Sequence, residues 1–416
     1  LLVPAAIATG LLKRYTRQLA ECDNARVIDL AQSVQAVPHS RIRELANIAF
    51  GMKDVLALYF GESNQPTPEN IKRAAIAALN SGYTFYTENA GLLSLRETIA
   101  QYYVRLHGVA LDPRCEIVVT ASGVQALNVS IRSVLDPGDE ALVLTPAWPN
   151  GASIVAMSNA RAIEVPQPFR ADRYEIDWKA LEAALTPRTR LLIYTSPSNP
   201  LGWVATEEDQ QRLLEFCRAH RIWLLADEVY ERLWYETEHP GTPVPSILRI
   251  ATRDDAVIVV QSFSKSYCMT GWRLGWLVAR ADLGRKAAQA NEFIISCAAG
   301  FVQKAAETAL CDGEAEIIAM LDRLNSNRNF CLEALGRMPR VSVPRPEGAF
   351  YLFPKIAGVR DSFEFCRRLL VEKRVGIAPG VAFGAGGEGS IRICYAADRG
   401  VLEPAMERLQ AFLEES

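Results

Sequence analysis

Residues 256–276 read AVIVVQSFSKSYCMTGWRLGW. The opening run, AVIVV, is apolar throughout and does not alternate with polar residues. Strands of that kind are buried on both faces, as in a mainly parallel sheet covered by helices. The run ends in a serine-rich turn that carries Lys265, and a second apolar strand, RLGWLVA, starts at 273. The same texture recurs upstream in EIVVT (116–120), ALVLTP (141–146), RLLIYTSP (190–197) and RIWLLADE (221–228). Helical spacing separates these runs, as in Val124, Leu127, Ile131 and Val134. The alternation predicts an α/β fold with a three-layer α/β/α large domain and a mainly parallel sheet.

The flanks have other signals. Thr67-Pro68-Glu69 reads as a hydroxyl cap followed by Pro and an acid at a helix start. Ser94-Leu95-Arg96-Glu97 reads as a capping box for a second helix ending at Gly108. Beyond 300 come a long helical stretch (303–337), VSVPRPEGAFYLFP, a helix over 361–373, SIRICYA and a terminal helix. The expected organisation is a large domain over 67–301 and a smaller α+β domain formed by 1–66 and 302–416.

Composition narrows the function classes. With 45 basic and 48 acidic residues the net charge is -3, so no global positive field would hold nucleic acid. The nine cysteines form no C-x-x-C pair and are odd in number, which argues for free thiols in a reducing cytoplasm. Four scattered histidines give no metal-ligand spacing. The apolar start, LLVPAAIATGLL, is short for a membrane span and lacks the charged flank of a signal peptide. The chain does not begin with Met, so a true start upstream is expected.

In doubly wound sheets ligands sit beyond the carboxyl ends of strands. After 116–120 come Ser122 and Gly123 at a helix start, either a plain tight turn or a phosphate site. After 190–197 comes Asn199 between two prolines, either turn chemistry or a donor to a ligand oxygen. The 221–228 run ends in Asp227, with Tyr230 three residues on; a carboxylate after WLLA needs a partner, either a cap, an arginine or a protonated ring nitrogen. The 256–263 run carries Ser262 near its end and is followed by Ser264 and Lys265, with Arg273 eight residues beyond Lys265. A desolvated lysine attacks carbonyl carbon, and an arginine with two serines can clamp phosphate. One ligand accounts for all four strand ends: pyridoxal phosphate, with a lysine Schiff base and an acid at the pyridine nitrogen.

The chain resembles the class I/II aminotransferases, fold type I of the pyridoxal phosphate enzymes, from about Phe60 to Arg392. SFSKSYCMTGWRLGW is similar to the family's lysine signature. The resemblance implies that Lys265 forms the Schiff base and that Ser262, Ser264 and Arg273 hold the phosphate. From ADEVYERLWYE it implies Asp227 at the pyridine nitrogen and Tyr230 at the ring's phenolic oxygen, which SPSNPLG shares through Asn199. TASGVQAL resembles the phosphate loop, giving Ser122, Gly123 and Val124. TPAWPN places Trp148 as an aromatic plate on the ring, with Trp148 and Asn199 also facing substrate. SIRICYA implies Arg392 as the grip on the substrate α-carboxylate, and FGESNQPTP turns the Gly61 backbone toward substrate. GYTFYTENAG implies that Tyr86 reaches the phosphate of a neighbouring subunit, hence a homodimer. Ser63, Leu201 and Val124 depart from the family's usual residues.

The implied activity is transfer of an amino group from an L-amino acid, whether aspartate, aromatic or other neutral donor, to a 2-keto acid. A β-elimination or C–S lyase on the same fold is the alternative, and a non-enzymatic effector-sensing module a remote one. Tyr59, Phe60, Trp148 and Phe350 are candidates for a side-chain pocket. Thr145-Pro146 and Asn199-Pro200 are candidates for cis bonds.

Overall fold

The apolar runs become one seven-stranded sheet. In the computed structural model, which describes residues 29–35, 37–170, 172–237 and 239–415, its strands are β1 (Ile117–Thr120), β2 (Glu140–Thr145), β3 (Arg161–Pro166), β4 (Thr189–Thr195), β5 (Trp223–Asp227), β6 (Val257–Ser262) and β7 (Gly275–Ala279). The spatial order is β1-β7-β6-β5-β4-β2-β3. From β6 to β3 every pairing is parallel, and β7 alone runs antiparallel, between β6 and β1. The apolar start of the chain lies outside the described residues.

Both faces of the sheet are covered, which explains why its strands do not alternate. Val118, Val143, Ile193, Leu225, Ile258 and Leu277 pack on one side with Leu127 and Ile131 of the helix Gly123–Val134. Their neighbours Val119, Leu142, Leu192, Leu224, Val259 and Trp276 point the other way, into a core with Leu213 and Phe216 of the helix Glu207–His220. β3 is an edge strand with mostly exposed or half-buried residues, so its sequence carries no such signal.

One compact unit of the chain begins at Pro38, and the described residues before it include a short helix, Gln32–Gln35. Within the larger unit, Leu56–Ala57 pairs with Val375–Gly376. Tyr351–Leu352 and Ala378–Pro379 both pair with Ile391–Cys394. No helix of the described residues is long and apolar enough to cross a membrane.

Three local expectations need correction. The helix near 67 spans Glu69–Asn80, and Thr67 does not cap it. Its Oγ1 donates to the Cys268 carbonyl at 2.6 Å and accepts from Trp272 Nε1 at 2.8 Å, so a tertiary partner has taken the hydroxyl. The next helix spans Leu93–His107, one residue before the expected cap, and Ser94 Oγ instead donates to Glu307. The stretch expected as one helix over 303–337 is two, Gly300–Asp312 and Glu314–Gly336, broken at Gly313.

Gly275 sets how closely β7 approaches its neighbours. A Cβ there would lie 2.5 Å from the Gln261 carbonyl oxygen and 2.6 Å from Gly123 N. Gly275→Ala must therefore displace the start of the 123–134 helix or the end of β6. Overpacking of this sort destabilises by about 1–3 kcal/mol. The variant is expected to show a lower urea midpoint. Gly271→Ala, with open space around its Cβ, should stay within about 0.5 kcal/mol of the parent.

Candidate active site

At the carboxyl ends of the parallel strands lies a cleft of about 460 Å³. Each expected strand-end residue can be placed against it. Gly123 and Val124, from the first turn after β1, line it; Ser122 sits just behind as the helix cap, its Oγ accepting from Gln125 N at 3.1 Å. Trp148 lines it from the turn after β2, Asn199 from the turn after β4, and Asp227, Val229 and Tyr230 from the end of β5. Ser262, Ser264, Lys265 and Arg273 come from β6 and the loop leading to β7. Thr145–Pro146 and Asn199–Pro200 are cis, as is Ser196–Pro197.

Asp227 is buried, and Lys265 is half-buried with its amine largely shielded from water. Asp227 ends β5, beside Val260 of β6. Its carboxyl accepts one long bond, 3.4 Å from Val229 N. Burial pushes its pKa up to about 7 against the pull of that N–H and of Lys265. Burial pulls Lys265 down to about 8. Its Nζ donates to the Gly61 carbonyl at 2.6 Å and lies 5.7 Å from the centre of the Tyr230 ring. At that pKa about a tenth is free amine at pH 7, far more than for an ordinary lysine, and this is the form that is both nucleophile and base.

The turn bearing Asp227 and Tyr230 is anchored from behind. Glu228 Oε1 accepts from Ile247 N at 2.9 Å. Glu231 accepts from Tyr102 and pairs with His107 at 3.0 Å, all three buried. Tyr230 and Tyr351 hydroxyls lie 2.7 Å apart. Buried bonds on both sides fix which side chains of this segment face the cleft.

Arg392 is fully buried on the strand Ile391–Cys394. Nη1 donates to Asn199 Oδ1 at 3.1 Å, Nη2 donates to the Tyr59 carbonyl, and Nε has no partner. With Oδ1 taken, the Asn199 amide turns its NH₂ away from Arg392. Gly61 lines the cleft opposite Tyr351; a Cβ on it would meet the Tyr351 hydroxyl at 2.2 Å, so only glycine fits. Ser262 Oγ donates to Ser264 Oγ at 2.9 Å, and Arg273 Nη1 donates to the Thr270 carbonyl at 2.6 Å. Hydroxyls, a guanidinium and a helix N-terminus thus share one end of the cleft, a set suited to phosphate.

Residues 53–409 match the family described as aminotransferase class I and II. The chain belongs to that family. An aromatic-amino-acid aminotransferase of Thermococcus litoralis is 34% identical over 93% of this chain and 98% of its own length. An aspartate aminotransferase of Pyrococcus horikoshii is 34% identical over 92% and 97%. A solved single mutant of Thermus thermophilus aspartate aminotransferase superposes with a TM-score of 0.86 at 31% identity, covering 93% of this chain and all of that one. The protein is a pyridoxal phosphate-dependent aminotransferase of fold type I. The residues present fit that cofactor. Asp227 is a buried carboxyl with a single weak bond, and a protonated ring nitrogen would give it a partner.

The side-chain pocket needed revision. Phe60 and Trp148 line the cleft, but Tyr59 and Phe350 are core residues, 4% and 1% exposed. Tyr351 takes the place expected of Phe350, because successive residues of a strand face opposite ways. Arg43, Glu62, Thr195 and Thr270 also line the cleft and were not singled out from the sequence. Tyr86 lies outside it and is 87% exposed.

The Asp227 pKa gives a stability signature for the cofactor-free protein. The folded state holds this proton more tightly than the unfolded chain. The group therefore costs nothing below about pH 4, and destabilises progressively as pH rises to about 7. Asp227→Asn mimics the protonated form. Its stability advantage over the parent should grow from near zero at pH 4 to a plateau above pH 7, on the order of 4 kcal/mol. Denaturant titrations of both apoproteins across that range measure it; a gap independent of pH contradicts the assignment.

Proposed function

We propose that this cleft carries out amino-group transfer with Lys265 as the proton-moving base and Asp227 as the counter-charge to the cofactor ring. When bound, pyridoxal phosphate supplies the carbonyl carbon that takes the amino group and a ring that withdraws electrons. Ser262, Ser264, Arg273 and the Gly123 and Val124 backbone, with Ser122 capping the helix, would hold the phosphate. Trp148 would cover the ring face, and Asn199 and Tyr230 would donate to its phenolic oxygen. The observation that carries the reading is that a buried, under-bonded acid at the end of one strand and a half-buried, under-bonded lysine in the turn after the adjacent strand line one cleft.

Lys265 then has two tasks. As free amine it would be the residue that holds the cofactor through its carbonyl, and as a base it would take the proton from the substrate α-carbon on its Nζ and give that proton back from Nζ as the conjugate acid. Arg392 orients that carbon by gripping the α-carboxylate, with Asn199 holding the guanidinium in place. Gly61 contributes backbone alone, which leaves room for substrate beside Tyr351. The named relatives are aminotransferases, which favours transfer over elimination.

The test is an absorbance titration of holoenzyme with single amino acids, comparing the parent with Lys265→Ala. The parent band should change when a donor is added. The variant should still take up cofactor, yet its turnover should fall by about 10²–10⁴-fold or more. Full transamination by Lys265→Ala would overturn the assignment.

The same reading extends to organisation. The seven-stranded sheet lies wholly within 67–301, and the pairing of Leu56–Ala57 with Val375–Gly376 supports joining residues 38–66 to the part after 301 as a small domain; most of the stretch before 38 lies outside the described residues. Phe85 and Tyr86, 83% and 87% exposed, support a second copy covering them and a homodimer in which Tyr86 reaches the partner's phosphate. Tyr86→Ala should then weaken cofactor binding about tenfold; unchanged affinity, or a wild-type protein that sediments as a monomer, would count against it. The eight described cysteines are free thiols, in keeping with a reducing cytoplasm.

A further inference from the structure

We infer, on the reading of Tyr86 as the residue that reaches the phosphate of a neighbouring subunit, that Gln303 and Asn291 are the positioning residues for it. These two buried carboxamides hold the segment 84–92 from behind and so fix where Tyr86 stands. Phe85 and Tyr86 are exposed, on a stretch with neither helix nor strand. A stretch with few packed side chains and no ladder of its own normally opens easily. Its placement therefore depends on where its backbone groups find partners.

Those partners come mainly from two helices far along the chain. On the helix Gly300–Asp312, Gln303 Oε1 accepts from Leu92 N at 2.7 Å, and Nε2 donates to Thr87 Oγ1 at 3.1 Å and to the Ala298 carbonyl at 2.8 Å. On the helix Ala281–Ile295, Asn291 Nδ2 donates to the Asn89 carbonyl at 3.0 Å, and Oδ1 accepts from Gln125 Nε2 at 3.3 Å. Cys297, between the two helices, accepts from Thr87 N at 3.3 Å. On the other side the Ala90 carbonyl accepts from Val119 N of β1 at 2.9 Å. The chain is thus bonded at 87, 89, 90 and 92, directly after the exposed aromatic pair.

Both carboxamides are fully buried, and core packing alone gives no reason for either. An apolar side chain of similar size would fill the same space without the desolvation cost of an amide. What the amide adds is direction. With oxygen accepting and nitrogen donating, neither Gln303 nor Asn291 can turn over without losing bonds. Gly91 closes the fit: its φ is +91°, and a Cβ there would lie 2.5 Å from Val119 Cβ and 2.9 Å from Gln303 Oε1. Gln125 carries the tie onward. It sits in the first turn of the helix Gly123–Val134, where its N–H donates to Ser122 Oγ. Asn291 therefore joins the segment behind Tyr86 to the helix start that would hold this copy's own phosphate.

The test is a double-mutant cycle on cofactor affinity. Holoenzymes are dialysed against graded pyridoxal phosphate, and retained cofactor is read by absorbance. Gln303→Met keeps the size and removes the amide. It should raise the cofactor Kd about five- to tenfold in the parent, no more than the loss of Tyr86 itself, and less than about twofold once Tyr86→Ala is present. Asn291→Asp keeps the acceptor for Gln125 but sets an oxygen against the Asn89 carbonyl, and should act the same way. An unchanged Kd in the parent, or an equal rise with and without Tyr86, which a merely structural role would give, overturns the inference. Should the buried changes prevent folding, Thr87→Val removes only the hydroxyl that meets Gln303. It should raise Kd about two- to threefold in the parent alone, and the same two contrary results overturn the inference. Unchanged affinity in Tyr86→Ala by itself would instead strike at the reading of Tyr86, so the two failures are separable.

Discussion

A buried carboxyl at the end of one strand and a half-buried lysine in the turn after the neighbouring strand, with almost no bonds to compensate, set the terms for the rest of the molecule. Asp227 has one long backbone bond and Lys265 one carbonyl, and burial moves both toward their neutral forms. Leaving such groups buried costs several kcal/mol unless a partner arrives. The sheet can bear that cost because its strands are apolar on both faces. The cost is also what makes the cleft selective, since a ligand that is cationic toward Asp227 and electrophilic toward Lys265 relieves both groups together. A protein optimised for stability alone would place neither residue there.

The second constraint is how three separate stretches meet at the cleft, Lys265 and Gly61 on its wall and Arg392 buried behind Asn199. Lys265 comes from the parallel sheet, Arg392 from a short strand near the end of the chain, and Gly61 from a segment near its start. The Tyr59–Gly61 backbone joins them by accepting a bond from each of the two cations. Arg392 pairs in register with Ala378, and Tyr351 with Cys394, so the small three-stranded sheet fixes both Arg392 and the Tyr351 hydroxyl that meets Tyr230. Thr67 adds a tie of its own, bonding the loop between Lys265 and β7 through Cys268 and Trp272. Geometry at the reacting centre thus depends on backbone and core packing from distant parts of the chain, a good basis for precise placement.

Much of this was legible in the sequence because burial on both faces leaves an unbroken apolar run, and strand ends then point to the ligand side. β3 escaped because an edge strand such as Arg161–Pro166 is half wet and keeps Arg161 and Glu164. Local capping rules misplaced Thr67 and Ser94 because a hydroxyl has several possible partners, and tertiary ones won. The break at Gly313 was signalled by Asp312-Gly313, a turn pair outweighed by the helical spacing around it. Phe350 was read in place of Tyr351 because strand phase cannot be fixed from a two-residue strand.

The departures from the family's usual residues are best understood by where they fall. Leu201 is 2% exposed and belongs to the core, beside the turn that presents Asn199. Ser63 accepts from Arg323 Nη2 at 2.9 Å and from Gln65 N at 3.2 Å, so it organises the chain after Glu62. Neither lines the cleft. Val124 does, but there the helix N-terminus offers backbone N–H groups, and the side-chain donors come from Ser262, Ser264 and Arg273 at the same end of the cleft. Two of the three changes are therefore absorbed by packing and backbone bonding outside the cleft, and the third removes one donor from a site that has several. The groups under the strictest electrostatic demand, Asp227, Lys265 and Arg392, are the ones this chain keeps, because an isolated buried charge tolerates no substitute of different charge or reach.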